Sequence, residues 1–460
     1  MTRLLLGLSF LSILSCSDRA KECPSVILSG QIVNPTSDFV VLYKDDMVID
    51  SAQLNEHDHF SFNLQGIEEG LYHFDHTEYQ YVYLQEGDSM LIRLNTMEFD
   101  ESLVFSGQGS EINNFLIEMF LAHEEEEMMI YDFYKLEPSA FSHKIDSLRA
   151  KKAQQLEELV KESDITENVF DMAKAAIDYN TYLYKERYPF YHKKKTGEEV
   201  IHNLDDSFYG YRKSLNLNDH NLTYFRPYFD FMKHHFGNLA YVSCMKDCET
   251  EEGVVESHLH FNKHILYLVD SLVQEPHIRN NLFRNVAMDY LLKEHNTNDE
   301  CQLFINKFKQ LSTNDKHKEE ITYLYEGIQS LQPNESLPDL SVWTADNQQV
   351  NLRDISKRKK KTVFYFWTPT QRRHFKNVIR QVAKLEKKHP DHNFVGISLR
   401  TSQAQWLKTV EEFKLDKSKQ FRGGDFEKVQ TTMIVDGLNK CVVAKDTLIV
   451  DAFANLYRSF

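Results

Sequence analysis

The sequence predicts an α+β protein made of three successive parts: an N-terminal antiparallel β-sandwich, a central all-α part and a C-terminal α/β part. Three patterns indicate this. Residues 25–108 alternate short apolar runs with turn residues, residues 109–332 are poor in proline and show helical periodicity, and residues 333–460 alternate strand-like and helical segments. A chain of 460 residues, 42% of them hydrophobic, is sufficient for several cores.

The overall charge limits the kinds of partner. Asp and Glu outnumber Lys and Arg, which gives a formal net charge of -16. Nucleic acid and anionic membrane surfaces are therefore disfavoured as the main partner. Basic clusters such as residues 357–361 are short, and we interpret them as solvated turns. We predict no nucleic-acid partner and no cofactor.

The first residues carry a targeting signal. Arg3 precedes an apolar run that is too short to span a bilayer and ends just before Cys16. The small residue before Cys16 and the apolar residue three positions before it resemble a bacterial lipoprotein box. We therefore predict a signal peptide at residues 1–15, a tether at residues 16–24 and a membrane anchor through lipid on Cys16. The Ser-Asp pair at residues 17–18 favours the outer membrane, facing either the periplasm or the cell surface.

The β part is predicted from its period-two alternation and its turn residues. Residues 25–108 contain enough strand-like runs for a half-buried sandwich of about seven or eight strands. The part closes with residues 105–116, where we expect glycines to form the turn out of the last strand and Ser110 to cap the next helix.

The central part, residues 109–332, should form roughly eight to ten helices packed as hairpins. We expect helix breaks at Pro189 and Gly197, among other positions. Many tyrosines and phenylalanines occur between residues 179 and 231. They would either line a sugar- or peptide-binding groove or pack between the helices.

A group of cysteines and histidines lies in this central part. Cys244 and Cys248 could form a local disulfide or share one helical face, and a metal or redox role would also be compatible with this spacing. His260 and His264 share a helical face, a geometry that can bind metal. Because the sequence matches no third ligand to the two histidines, we predict no metal site, and Cys244 and Cys248 stay candidates for a disulfide.

Residues 362–367 read as a buried parallel strand, and Phe375, Val378 and Val382 follow with helical spacing. Together with the Leu-Pro-Asp-Leu run at residues 337–340, this segment resembles the start of a TlpA-like thioredoxin-fold domain. Residues 27–116 resemble the small β-domain that precedes such domains in bacterial lipoproteins. The resemblance implies a thioredoxin-like C-terminal domain with a βαβ unit followed by a β-hairpin.

The resemblance also implies thiol-disulfide chemistry, from a Cys-x-x-Cys pair that follows Phe-Trp at the helix start. This sequence has Gln371 and His374 at those two positions. The family also places a cis-proline before its last core strand, and our alignment puts Lys445 there. A thiolate and a resolving thiol are both required for the reaction. We therefore predict a degenerate redox site at Gln371, His374 and Lys445, with no catalytic residue.

We predict a lipid-anchored binding or scaffolding protein for an envelope protein or peptide. Trp367, Thr370, Arg372 and Arg373 are the candidate ligand-binding residues, because cations beside a helix N-terminus favour an anion. One alternative is a TlpA-like oxidoreductase that uses Cys441, and another is an outer-membrane lipoprotein that binds glycans or peptides. Family members cover the sheet with a C-terminal helix, and we expect the helical part or a partner to cover it here.

Overall fold

The fold is seen in a computed structural model, which describes residues 25–76, 78–199, 201, 204–247, 257–357 and 361–460. The predicted signal peptide, the tether and Cys16 therefore lie outside the described residues. None of the helices in the described part has the length and apolar character that a membrane crossing requires.

The first part is built from two four-stranded sheets, ordered β4-β1-β7-β8 and β3-β2-β5-β6. Its described elements are β1 Val26–Val33, β2 Phe39–Lys44, β3 Met47–Gln53, β4 His59–Leu64, β5 Gly70–Asp75, β6 Tyr79–Leu84, β7 Ser89–Asn95, α1 Phe99–Ser102 and β8 Val104–Gln108. Apolar side chains of both sheets form one shared core. In β7, for example, Met90, Ile92 and Leu94 are buried while Leu91 between them is 52% exposed, as a half-buried strand requires.

The prediction of a purely antiparallel sandwich is wrong at one pair of strands. β1 runs parallel to β7, with Leu28 opposite Met90. The other strand pairs described in these two sheets are antiparallel. Between β1 and β7 the chain passes through the second sheet twice, as β2-β3 and as β5-β6, with β4 in between. A long connection of this kind is what parallel neighbours need.

Helix α2, Ser110–Phe133, is attached to both sheets by two adjacent asparagines. Asn113 accepts a hydrogen bond from the backbone N–H of Tyr83 in β6 at 2.7 Å and donates to the carbonyl of the same residue at 2.9 Å. Asn114 makes the same pair of bonds with Phe105 in β8, at 3.0 and 2.9 Å. The predicted Ser110 cap is wrong, because the N-cap position is Gly109 with a positive φ of 91° and Ser110 begins the helix.

The central part consists of long helices packed side by side. After α2 these are α3 Pro138–Glu162, α4 Glu167–Thr196, α5 Arg226–Asp247, α6 His258–Leu272, α7 Pro276–Glu294, α8 Asp299–Leu311 and α9 Asp315–Ser330. Helix α4 ends at Gly197 in the left-handed conformation, as predicted. It continues through Pro189, so the break expected there is wrong. Pro189 and its neighbour Tyr188 are buried, and packing offsets the hydrogen bond that proline removes.

One carboxylate is fully buried between these helices. Glu186 of α4 accepts hydrogen bonds from Arg212, from His235 of α5 at 2.8 Å and from Asn238 at 2.8 Å. Burial alone raises the pKa of Glu186, but the hydrogen bonds from His235 and Arg212 outweigh it and lower the pKa to about 2. Glu186 therefore stays ionised and fixes the segment around Arg212 to the helices.

The third part begins with short strands and continues as an alternation of strands and helices. Its described elements are β9 Ser341–Trp343, β10 Gln349–Asn351, α10 Leu352–Ser356, β11 Lys361–Trp367, α11 Arg372–Lys388, β12 His392–Ser398, α12 Gln403–Glu412, β13 Gln420–Arg422, α13 Phe426–Met433, β14 Lys440–Lys445 and β15 Leu448–Asn455. The last two strands, β14 and β15, form the final hairpin. Its turn is at Asp446 and Thr447, both with positive φ, and residues 456–460 lie beyond β15.

The strands of this part form one sheet in the order β10-β9-β13-β12-β11-β14-β15. β11 is parallel to β12, whereas β14 is antiparallel to both β11 and β15. The four strands β12-β11-β14-β15, with α11 connecting β11 to β12, have the order and directions of a thioredoxin-like fold. This confirms the predicted βαβ unit and hairpin.

The two faces of the sheet are buried by different elements. Val363, Tyr365 and Trp367 of β11 point to one face, where α11 and α12 cover them. The alternate residues Phe364 and Phe366 point to the other face and join a core that includes side chains of α7, α8, α9 and α13. The helical part therefore covers the second face, as expected from the sequence.

Candidate functional site

The turn between β11 and α11 is the place where the resemblance locates the site. Trp367, the last residue of β11, is fully buried, and its indole N–H donates to Gln420 at 3.1 Å. The prediction that Trp367 contacts a ligand is therefore wrong, because its ring belongs to the core beneath the helix. Thr370 is half-buried, and its hydroxyl is 2.9 Å from that of Thr368. It does not cap α11, because the N-cap position is Gln371 without a side-chain cap.

The two positions of the missing thiols have different surroundings. Gln371 is exposed and faces a large cleft. His374, one helical turn later, is partly buried, and its Nε2 lies 2.9 Å from Oδ1 of Asn439. Its Nδ1 is buried without a hydrogen-bond partner. The two positions therefore open to different spaces: Gln371 faces the large cleft, and His374 lines a separate cavity of about 350 Å³ together with Asn439.

The cations at the start of α11 do not converge as predicted. Arg372 forms an ion pair with Glu412 of α12 at 2.9 Å, whereas His374 contacts Asn439 just before β14. These partners lie on opposite sides of β11, because β12 and β14 flank it. Arg373 is exposed. The helix start therefore lacks the cluster of cations that would favour a bound anion.

The placement of Lys445 at the cis-proline position is wrong. Lys445 is the last residue of β14 and pairs with Leu448 in the hairpin. β14 is antiparallel to β11, so the first residues of β14 lie beside the last residues of β11, where the site is. The last residues of β14, including Lys445, lie near the beginning of β11, away from the site. The residue that faces the start of α11 from this side is Asn439, which the sequence did not single out.

The described cysteines are Cys244, Cys301 and Cys441, and all three are buried. Cys441 lies in β14 opposite Tyr365, in the core under α11 and α12. Burial raises the pKa of its thiol to about 12, so the thiolate is not formed at neutral pH. The Cys301 thiol donates to Asn296 at 2.9 Å. Cys248 lies outside the described residues, and the candidate disulfide with Cys244 stays a prediction.

A cleft of about 990 Å³ opens in front of Gln371, and we take it as the candidate functional site. All three parts of the chain contribute to its walls. The β part supplies Asp46, Asp75, Glu78, Tyr79, Gln80, Tyr81, Phe99 and Asp100; the helices and their connections supply Phe120, Thr223, Tyr224, Arg226, Phe229, Asn281, Arg284, Asn314, Lys316, His317 and Glu320; the thioredoxin-like part supplies Gln371 and Arg400.

Hydrogen bonds between the parts hold the cleft in shape. Tyr224 donates to a carboxylate oxygen of Asp46 at 2.7 Å, and the backbone N–H of Arg226 donates to the hydroxyl of Tyr81 at 3.0 Å. Both bonds join the β part to the segment that leads into α5. On the helical wall, Arg284 and Glu320 form a two-point ion pair. Hydrogen bonds and an ion pair within the protein therefore support the walls, and they do not depend on a bound ligand.

Charges of both signs line the cleft. Burial raises the pKa of Glu78, nearby Asp100 raises it further, and Arg400 lowers it. Burial likewise raises the pKa of Asp100, and a hydrogen bond from Gln80 partly offsets this. Of these two partly buried carboxylates, Glu78 lies in the electrostatic range of the exposed Arg400, and Asp100 in that of Arg226. A ligand with positive and negative groups would find complementary partners here.

The aromatic residues of the helical part mostly pack against one another. Tyr179, Tyr184 and Tyr188 are buried in the helical cores. Packing therefore accounts for most of this set, and Tyr224 and Phe229 are the members that reach the cleft. No sequence pattern indicated Tyr79, Arg284 or Arg400, because residues distant in the chain meet at the cleft only after folding.

Comparisons with known proteins were made for the whole chain. No protein-family model matches it, and no curated protein matches it. It is similar to the structure of a thioredoxin-like protein from Bacteroides caccae, with 12% identity over 53% of this chain and 86% of that chain, and a TM-score of 0.31.

Two further solved structures match a smaller share of the chain. The thioredoxin domain of a thiol-disulfide oxidoreductase from Bacteroides vulgatus has 19% identity over 26% of this chain and 88% of that one, with a TM-score of 0.22. A thiol:disulfide interchange protein from a Bacteroides species has 19% identity over 26% of this chain and 81% of that one, with a TM-score of 0.23. At such values we transfer no activity from these proteins.

Proposed function

We propose that this chain is a lipid-anchored protein of the bacterial cell envelope, with a redox-inactive thioredoxin-like domain, that binds a polypeptide segment in the central cleft. One observation carries the proposal. Gln371 stands where the first thiol of a redox pair would be, and it opens onto a cleft of about 990 Å³ walled by all three parts. A ligand in the cleft would thus reach the start of α11, as a substrate reaches a thioredoxin-like site, and would be bound there without redox chemistry.

Redox inactivity is supported by the chemistry of the available side chains. An amide at Gln371 and an imidazole at His374 cannot form a mixed disulfide. The alternative through Cys441 is disfavoured, because this thiol is fully buried and its pKa is raised to about 12. A thiol with these properties neither reaches a substrate disulfide nor supplies the thiolate that attacks it.

A polypeptide ligand is favoured over a glycan by the character of the lining. Five carboxylates and four cations share the walls with several aromatic rings: the carboxylates of Asp46, Asp75, Glu78, Asp100 and Glu320, and the cations of Arg226, Arg284, Lys316 and Arg400. Neutral sugars offer no charge to such a surface. A peptide offers side chains of both signs, aromatic groups and backbone hydrogen-bonding groups at once.

The test is a binding experiment on the chain that lacks residues 1–24, with a displayed library of random peptides. We expect enriched peptides, and Arg400→Glu should weaken their binding at least tenfold, since it reverses a charge on the wall beside Gln371. Arg93→Glu is the matched control, because Arg93 is exposed on β7 outside the cleft. The proposal fails if no peptide is enriched, or if both variants bind the selected peptides as the parent does.

A further inference from the structure

Three potential metal ligands meet where α5 packs on α6. Cys244 lies near the end of α5 and is only 1% exposed, while His260 and His264 lie in the first two turns of α6. One donor atom from each side chain lies within 4.8 Å of the other two. The two Nε2 atoms of the histidines face each other at 2.9 Å. Three donors from two helices thus lie close together.

The geometry points to a zinc site formed by Cys244, His260 and His264. A thiolate and two imidazoles are ligands that Zn²⁺ prefers, and tetrahedral coordination at about 2.0–2.1 Å separates two imidazole nitrogens by about 3.3 Å. The observed 2.9 Å between the Nε2 atoms needs only a small opening to match this value. Spacing of four residues along a helix places both rings on the same face. A water molecule would complete the four ligands.

The site would fasten the start of α6 to the end of α5. At its first turn α6 is already tied to α7, because Nδ1 of His258 lies 2.5 Å from a carboxylate oxygen of Glu294. A bound ion would add the equivalent connection to α5. Metal that binds the folded chain preferentially raises the free energy of unfolding, and binding releases the proton of the cysteine thiol. A bound ion would therefore stabilise the packing of α5 against α6, and this effect is independent of the ligand proposed for the cleft.

The test uses the full chain after residue 24, stripped of metal by a chelator and kept under a reducing agent. Reduction matters because a disulfide from Cys244 would remove the thiolate. We expect one equivalent of Zn²⁺ by elemental analysis after desalting. We also expect Co²⁺ to give the intense ultraviolet thiolate-to-metal band and the visible bands of tetrahedral coordination. Zinc should raise the Tm of the parent chain.

Two pairs of variants make the result specific. Cys244→Ser and His264→Asn should each weaken zinc affinity at least tenfold and remove the zinc-dependent rise in Tm. Cys301→Ser and His258→Asn are the matched controls, because they change another buried cysteine and another histidine of α6, and they should bind as the parent does. Circular dichroism checks that each variant is folded. The site is refuted if the reduced parent binds no zinc, or if folded Cys244→Ser binds it with unchanged affinity.

Discussion

At the scale of single residues, Asn113 shows how one side chain can replace a stretch of secondary structure. The edge of β6 presents an N–H and a carbonyl at Tyr83 that no neighbouring strand in this sheet pairs, and Asn113 satisfies both. The side chain is 1% exposed, so water cannot take its place. The identity of the residue follows from this geometry, since an amide of this length offers one donor and one acceptor.

We expect Asn113→Ala to lower the free energy of unfolding by about 2–4 kcal/mol, because it leaves a buried backbone donor and a buried acceptor unsatisfied. Urea denaturation followed by circular dichroism measures the change. Asn306→Ala is the control, because Asn306 is exposed on α8 and its replacement should stay within about 0.5 kcal/mol. Equal effects of the two substitutions would contradict the role given to Asn113.

Lys440 is a second informative residue, because its charged side chain is buried. Its ammonium group donates to the carbonyl of Ile434 at 2.6 Å and lies over the ring of Phe453 at 4.1 Å. The residue is 6% exposed. Burial lowers its pKa from 10.5 to about 8, and the charges of Asp436 and Asp451 only partly oppose this.

This shift predicts a pH dependence of stability. Between pH 8 and 10.5 the unfolded chain holds a proton on this lysine that the folded chain has lost, so the contribution of Lys440 to the free energy of unfolding rises with pH. The full rise corresponds to about 3 kcal/mol. We expect the free energy of unfolding of the parent, relative to that of Lys440→Met, to rise by most of this amount between pH 7.5 and 10. A difference that stays constant with pH would argue against a buried, shifted lysine.

At the scale of elements, α11 occupies the position in the thioredoxin-like fold where the resemblance expects a pair of thiols. The helix starts immediately after a buried strand, its apolar residues Phe375, Val378 and Val382 face the sheet, and Gln371 remains exposed at its start. The free backbone N–H groups of a helix start stabilise an anion such as a thiolate. Under the proposed function, the helix start would keep this scaffold, with Gln371 and His374 in place of the thiols.

Restoring the two thiols tests this separation of scaffold and chemistry. In Gln371→Cys with His374→Cys we expect a disulfide to form on oxidation, and the pKa of the thiol at residue 371 to fall below the ordinary value of about 8.5. Thiol counting and the ultraviolet absorbance of the thiolate measure these changes. The parent should reduce insulin no faster than Cys441→Ser. Turnover by the parent above that control would show a redox activity that the proposal denies.

At the scale of the whole molecule, the candidate site belongs to no single part of the chain. The cleft receives residues from the β part, from the helices and from the thioredoxin-like part. The helical part also shares its core with one face of the C-terminal sheet. This arrangement ties the position of Gln371 to the helices, because moving the helical core would move the sheet that carries it. The three parts therefore form one unit around the cleft.

The proposed anchor is also a property of the whole molecule. In a bacterial host we expect Cys16→Ala to abolish incorporation of labelled palmitate and to move the protein from the membrane fraction to the soluble fraction, because Cys16 is the residue that would carry the lipid. Cys23→Ala is a matched control in the same segment and should be labelled as the parent is. Unchanged labelling of Cys16→Ala would exclude lipidation at this position.

The sequence by itself determined the local features whose physical causes are local. Alternating apolar residues in β7 predict a half-buried strand, Gly197 marks the end of α4, and the run of residues 362–367 predicts the central strand of the thioredoxin-like sheet. Together with the resemblance, it also led to the prediction that Gln371 and His374 stand at the positions of a redox pair. None of these inferences requires knowledge of distant contacts.

Only the tertiary structure decided the features that depend on contacts between distant residues. Because β14 pairs antiparallel with β11, the residue that faces the start of α11 is Asn439 and not the predicted Lys445. Packing carried α4 through Pro189, and folding brought Cys244 to His260 and His264. The cleft in front of Gln371 arose in the same way, since its walls come from segments hundreds of residues apart. Strand register, helix packing and the meeting of distant residues depend on the free energy of the whole chain. A local sequence pattern therefore does not predict them.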